Sequence, residues 1–175
     1  WLRQQLSLKY DLLRVMEQFP GFSFRVLKRA TGDPGWPNRA RLGHLTTPHG
    51  VINTPAFVFC ATKGAVRGAT AEQVHAEETQ IILANTYHLA LRPGSDVVRE
   101  AGGLHAFTGW KGPILTDSGG YQVFSQQGLR RISEEGVEFQ SHLDGRRHFF
   151  SPEDSIRIQE TLGSDVIMVL DECTP

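Results

Sequence analysis

The chain has 175 residues, 39% hydrophobic and 21% charged, which suits one soluble globular domain or slightly more and argues against disorder. A formal net charge of −1 gives no global pull toward nucleic acid, so any such contact has to be local or supplied by other parts of a protein. Two distant cysteines, Cys60 and Cys173, make neither a disulfide framework nor a zinc cluster and fit a reducing, cytoplasmic compartment; no apolar run approaches the ~18 residues of a membrane span.

In chain order, residues 1–19 read as a helix, with Leu2, Leu6, Leu13 and Met16 near one face and Pro20-Gly21 as the stop. Phe22, Phe24 and Val26 alternate as a strand, and residues 31–38, rich in Gly and Pro, read as a loop. Residues 39–60 read as short strands broken at Thr47-Pro48-His49-Gly50 and at Thr54-Pro55, so an antiparallel sheet is expected first. From Ala56 the pattern becomes strand–helix alternation. An apolar run ends at Phe59. The capping box Thr70-Ala71-Glu72-Gln73 then opens a helix to about Thr79.

A second run, Ile81-Ile82-Leu83-Ala84, ends in Asn85-Thr86-Tyr87-His88. Ser95 is expected to cap a short helix stopped by Gly102-Gly103. A third run follows Gly112-Pro113 as Ile114 and Leu115, and stops at Asp117. An insertion follows, with Val137, Phe139 and Leu143 at strand spacing and Asp144-Gly145 as a type I′ hairpin signal before His148-Phe149-Phe150. Ser151-Pro152 starts a helix with acids Glu153 and Asp154 in its first turn, and Gly163 closes it. A fourth run, residues 165–170, ends in Asp171-Glu172-Cys173.

Four apolar runs separated by helices predict an α/β fold with a parallel sheet buried on both faces. Asn85 and Asp117 lie about one βαβ unit of roughly 30 residues apart, and the hairpin insertion accounts for the longer gap to Asp171, so parallel strands are expected to place all three on one rim. In barrels and open sheets alike, that carboxyl rim is where ligands bind. A complete barrel takes about 250 residues, of which this chain supplies about half. A start on Trp1 and an end at Pro175, just after an apolar run, predict a piece of a longer protein.

The chemistry concentrates at residues 112–125. Asp117 stands where the strand stops. Ser118, Gly119 and Gly120 are expected to offer bare amides and let the backbone approach a ligand, and Tyr121 adds a flat ring with a polar tip. An ionised carboxylate only accepts hydrogen bonds, so its natural partner is a donor-rich edge such as that of a guanine-like base. Asp117 and Asp171 are expected to grip that edge beside Asn85, with Tyr121 stacked on the ring. The plainer reading makes Asp171 a helix cap and Cys173 a packed side chain. His88, His105, His142 and His148 show no metal spacing, and Glu77-Glu78 and Glu134-Glu135 read as solvated helix faces.

Several motifs, in this order, resemble one family, the tRNA-guanine transglycosylases, also called queuine tRNA-ribosyltransferases. They are Asn85-Thr86-Tyr87-His88-Leu89, Leu91-Arg92-Pro93, Gly102-Gly103-Leu104-His105, Asp117-Ser118-Gly119-Gly120-Tyr121-Gln122, Ser151-Pro152-Glu153 and Asp171-Glu172-Cys173-Thr174-Pro175. The likeness runs from about Phe22 to the last residue. It implies the first half of a (β/α)8 barrel with an N-terminal antiparallel sheet, preceded by a helical extension at 1–20, with 21–175 belonging to the barrel domain. It implies exchange of guanine at the wobble position of tRNA anticodons for a 7-deazaguanine base, by double displacement through a covalent intermediate.

By the same resemblance, Asp117 matches the proton-acceptor aspartate that also contacts the base. Ser118, Gly119, Gly120 and Tyr121 match the base-binding loop, Asp171 the second base-reading aspartate, and Asn85 and Gln122 pocket residues. The Asp-Glu-Cys-Thr-Pro ending resembles the bacterial branch, which installs preQ1 rather than queuine. The nucleophilic aspartate and a Cys/Cys/Cys/His zinc site are implied beyond residue 175, as is a homodimer for the full-length protein, with tRNA as partner and no membrane. The chain departs from the family's Pro-Val-Gly-Thr run with Phe59-Cys60-Ala61-Thr62. Alone, this portion is expected to be inactive and poorly stable, since an open barrel leaves strand edges unpaired. Two alternatives stay open: a non-catalytic tRNA-binding accessory subunit of the family, and a barrel enzyme acting on a free purine-like metabolite.

Overall fold

Alternation of apolar and polar residues builds the first sheet. In the computed structural model, which describes residues 21–31, 39–125 and 130–171, the chain divides into two compact units, 1–56 and 57–175. In the first, β1 (Ser23–Arg29), β2 (Arg41–Thr47) and β3 (Gly50–Thr54) form an antiparallel sheet in that order, as the sequence predicts. The register sets Phe24 opposite Leu45 and Leu45 opposite Ile52, so the three share one face. A bulge between Val26 and Lys28 shifts the register of β1. The helix expected at 1–19 and nearly all of the loop expected at 31–38 lie outside the described residues.

The second unit holds a parallel sheet, β4 (Phe59–Cys60), β5 (Ile82–Ala84) and β6 (Ile114–Thr116), in that order. Its strands are shorter than the apolar runs suggest. Burial on both faces holds for β5 and β6 but fails for β4, where Phe59 and Cys60 are exposed, as are Phe57 and Val58 just before it. The fourth run is a single parallel bridge, Leu115 to Val166, rather than a strand. Beyond it the backbone of Met168 bonds to the side chain of Gln159, which takes the place of a ladder partner.

The helices are α1 (Ala71–Ala76), α2 (Thr86–Leu91), α3 (Ser95–Glu100), α4 (Gly103–Thr108), α5 (Gly120–Phe124) and α6 (Pro152–Leu162). The predicted capping box forms, with Gln73 N–H donating to Thr70 Oγ1 at 3.2 Å, and the predicted helix start at Ser151 carries a second one, with Asp154 N–H donating to Ser151 Oγ at 3.0 Å. The first helix stops at Ala76, short of Thr79, because Glu77 caps it and Glu78 turns left-handed at φ 56°. Ser95 does not cap α3. Gly94 stands at the N-cap and Ser95 is the first helical residue. The Gly102-Gly103 pair ends α3 but also opens α4, an element absent from the sequence expectation.

The insertion is a second antiparallel sheet, β7 (Arg130–Ser133), β8 (Gly136–Gln140) and β9 (Arg147–Phe150). Glu134 and Glu135 form its first turn, not a helix face. The second connection runs over 141–146 and places Leu143 in the loop instead of a strand. A type I′ turn needs positive φ at both central residues, and only Gly145 has it. Ser141 Oγ accepts from Leu143 N–H and Asp144 Oδ1 from Arg146 N–H, which widens the turn.

Two apolar clusters fill the unit. One joins Ile82, Leu89, Leu104, Ile114 and Leu162 under the parallel sheet; the other joins Tyr87, Val123, Val137, Phe139 and Phe150 under the insertion. Ile158 of α6 packs against both. Helix α6 therefore braces the sheet and the insertion together, behind the rim where Asp117 stands.

Candidate functional site

Parallel pairing decides where the polar strand ends go. Ile82, Leu83 and Ala84 of β5 pair with Ile114, Leu115 and Thr116 of β6, so Asn85 and Asp117 leave their strands side by side. Asp117 N–H reaches the Ala84 carbonyl at 3.4 Å as the ladder ends. The Asp117 carboxylate is then surrounded by donors. Thr86 N–H donates to Oδ1 at 2.8 Å, Gln122 Nε2 to Oδ2 at 3.0 Å, and Asn85 Nδ2 also to Oδ2. Thr86 Oγ1 donates to the Asp117 carbonyl at 2.5 Å. Asn85 thus spends its amide on Asp117 instead of capping α2.

Ser118 connects this group to the next. Its hydroxyl donates to Asp171 Oδ1 and accepts Gly120 N–H at 3.0 Å. Its carbonyl accepts from Ser155 Oγ of α6 at 2.7 Å. Asp171 therefore stands beside the Asp117 strand end, held there by one buried serine, although it ends no strand.

The glycines have a different use from the one the sequence suggests. Gly119 and Gly120 are buried, and the Gly120 amide is committed to Ser118 rather than bare. A Cβ on Gly120 would meet the Asp171 carbonyl at 2.3 Å and its Oδ1 at 2.9 Å. Gly120 is what lets the Asp171 segment close on the loop. Gly119 sits at φ 82°, a left-handed conformation that side chains resist. Tyr121 projects from this loop, 63% exposed, with its ring face available. Gln122 Oε1 is buried with no partner among the described residues, while its Nε2 holds Asp117.

Sequence reasoning passed over several contributors. Thr86 supplies two of the bonds around Asp117. Its signal was available: the residue after a strand-end Asn at a helix start carries an unsatisfied N–H. Tyr87 Oη lies 2.9 Å from His142 Nδ1, and the His88 ring stands edge-on to both. Burial, then His142 and Lys63, hold the His88 imidazole below the ordinary histidine range, with Asp117 opposing them. These contacts cross from α2 to the β8–β9 loop, so no local pattern announces them.

The family model described as Queuine tRNA-ribosyltransferase matches residues 37–175. The chain belongs to the queuine tRNA-ribosyltransferase family. It is 59% identical over 155 residues to the queuine tRNA-ribosyltransferase of Desulforudis audaxviator, covering 89% of this chain and 40% of that relative. It is 57% identical over 156 residues to that of Moorella thermoacetica, covering 88% and 40%. The Desulforamulus reducens relative is 58% identical over 137 residues, covering 78% and 37%. The chain thus spans about 40% of the length of the curated relatives it matches. No helix among the described residues is long and apolar enough to cross a membrane.

Proposed function

We propose that the protein carrying this chain is a bacterial-type tRNA-guanine transglycosylase, exchanging guanine at the anticodon wobble position of tRNA for a 7-deazaguanine base. The observation that supports it most is the single rim on which Ser118 joins the Asp171 carboxylate to the Asp117 strand end. Two acceptors side by side match the ring N–H and exocyclic amine of a guanine-type base. Asp117 is the proton acceptor and base contact. Asp171 reads the same edge, Tyr121 stacks on the ring, and Ser118, Gly119 and Gly120 shape the floor. Asn85 and Gln122 hold Asp117 and line the pocket.

The Asp117 carboxylate has three internal donors, so a base edge has to replace some of them. That exchange favours a ligand bringing two aligned donors over one bringing a single donor. The displacement at the ribose follows retaining-glycosidase logic, with the nucleophilic carboxylate expected beyond residue 175.

The chain supplies the first strands of a (β/α)8 barrel. The exposed Phe57 and Val169, next to β4 and to the Val166 bridge, support further strands beside them. The family's zinc set does not fit this chain, since two cysteines cannot provide three thiolates. Its ligands, a homodimeric state and a cytoplasmic location belong to the full-length reading.

The test is tRNA-dependent incorporation of radiolabelled guanine by the full-length protein. Asp117→Asn should abolish incorporation while tRNA affinity stays within about threefold. Retained turnover would remove Asp117 from the chemistry. tRNA binding without incorporation by the wild type would favour an accessory subunit, and base turnover without tRNA would favour a free-purine enzyme.

A further inference from the structure

We infer that Gln159, together with Ser155 one turn earlier on α6, positions the Asp117 and Asp171 segments against each other and so sets the affinity for the base. The inference rests on the transglycosylase reading of that rim. Gln159 is fully buried. Its Oε1 accepts from Thr116 Oγ1 at 3.0 Å and from Met168 N–H at 2.9 Å. Its Nε2 donates to the Met168 carbonyl at 2.8 Å and lies 3.2 Å from both the carbonyl and the Oγ of Ser155.

The two bonds to Met168 engage its N–H and its C=O, which is what a neighbouring strand does in a ladder. They act where the parallel pairing stops, just past the bridge at Val166. Thr116 immediately precedes Asp117, and Met168 lies one short segment before Asp171. Ser155 completes the bracket, because its Oγ holds the Ser118 carbonyl and Ser118 Oγ in turn holds Asp171. One rigid helix thus grips both sides of the rim by side-chain bonds.

Packing alone does not call for an amide here. The position adjoins Leu162, a member of the first apolar cluster, and Ile158, which packs against both, and an apolar residue of equal volume would fill it. A buried amide is tolerated only when all its bonds are made, and a saturated one fixes geometry more tightly than an apolar contact. Base reading by two carboxylates depends on their spacing to a fraction of an ångström, so loss of the bracket weakens base binding before it slows the chemical step.

The experiment is steady-state guanine exchange by the full-length protein. Gln159→Met keeps the volume and removes the amide. It should raise KM for guanine roughly tenfold, leave kcat within about threefold and KM for tRNA within about twofold. Gln159→Glu supplies the rescue arm, because a neutral carboxylic acid reproduces one acceptor and one donor. Its guanine KM should fall toward the wild-type value as the pH is lowered from about 8 to about 6, a profile the wild type lacks. A folded Gln159→Met enzyme with guanine KM within about twofold of wild type would overturn the inference. If that variant does not fold, Ser155→Ala decides in the same way: a rise of roughly fivefold in guanine KM supports the bracket and no change removes it. A wild type without exchange would remove the transglycosylase reading and this inference together, whereas normal exchange insensitive to Gln159 removes this inference alone.

Discussion

The hydroxyl of Ser118 donates to the Asp171 carboxylate and, in the same geometry, accepts the Gly120 amide. One buried oxygen therefore ties the β6 strand end, the start of α5 and the chain beyond Val166. Ser118→Ala leaves the Gly120 N–H unsatisfied and frees Asp171. The expected cost is about 1–3 kcal/mol of folding stability, with weaker guanine binding. Urea denaturation and guanine titration of the full-length protein check both. Unchanged values would mean that the hydroxyl holds nothing together.

Gly120→Ala should be worse than its small size suggests. The new methyl would meet backbone, the Asp171 carbonyl at 2.3 Å, which cannot swing aside as a long side chain can. Asp171 must move, and guanine affinity should fall by at least tenfold with a stability loss of about 1–3 kcal/mol. Gly163→Ala is the control. It carries φ 73° but meets nothing within 4 Å, so it should cost about 1–2 kcal/mol of left-handed strain without touching base affinity. Equal effects of the two substitutions on guanine binding would contradict the contact.

Asn85 and Asp117 should be energetically coupled. Asn85 is 7% exposed, and its amide donates to the Asp117 carboxylate. A double-mutant cycle with Asn85→Ala and Asp117→Ala should give a coupling of about 1–3 kcal/mol in denaturation experiments. Additivity within about 0.5 kcal/mol would rule out a bond of consequence between them.

His88 should titrate below its ordinary value of 6.5, because burial and the neighbouring His142 and Lys63 disfavour its cation. The sign for stability follows from proton uptake. Below about pH 6.5 the unfolded chain binds the proton that the folded chain refuses, so stability falls as the pH drops through that region and is fully present above it. His88→Gln should flatten this slope. Proton NMR of the imidazole and melting temperatures between pH 7 and 5 measure it, and a His88 midpoint above 6.5 would count against the cluster.

Local chemistry was legible in the sequence. Thr70 with Gln73 forms its box, and Ser151-Pro152 starts its helix, because capping needs only residues three apart. The Asn85–Asp117 spacing put two strand ends on one rim because parallel pairing has a fixed direction. The wide β8–β9 connection departs from the Asp-Gly signal for a different reason: its conformation depends on bonds from the Ser141 and Asp144 side chains, not on the Asp-Gly pair alone. The fourth apolar run looked like a strand because its composition is that of one, yet a strand exists only where a neighbour supplies hydrogen bonds.

By itself the sequence determined the antiparallel opening, the strand–helix alternation that follows it, and the neighbouring strand ends of Asn85 and Asp117. These follow from periodicity, caps and spacing, which are properties of neighbours along the chain. Only the tertiary structure decided that Gly120 makes room for Asp171, that three donors already occupy Asp117, and that Gln159 stands in for a missing strand. Those relations join residues far apart in sequence, and only the folded backbone brings such groups within hydrogen-bonding reach.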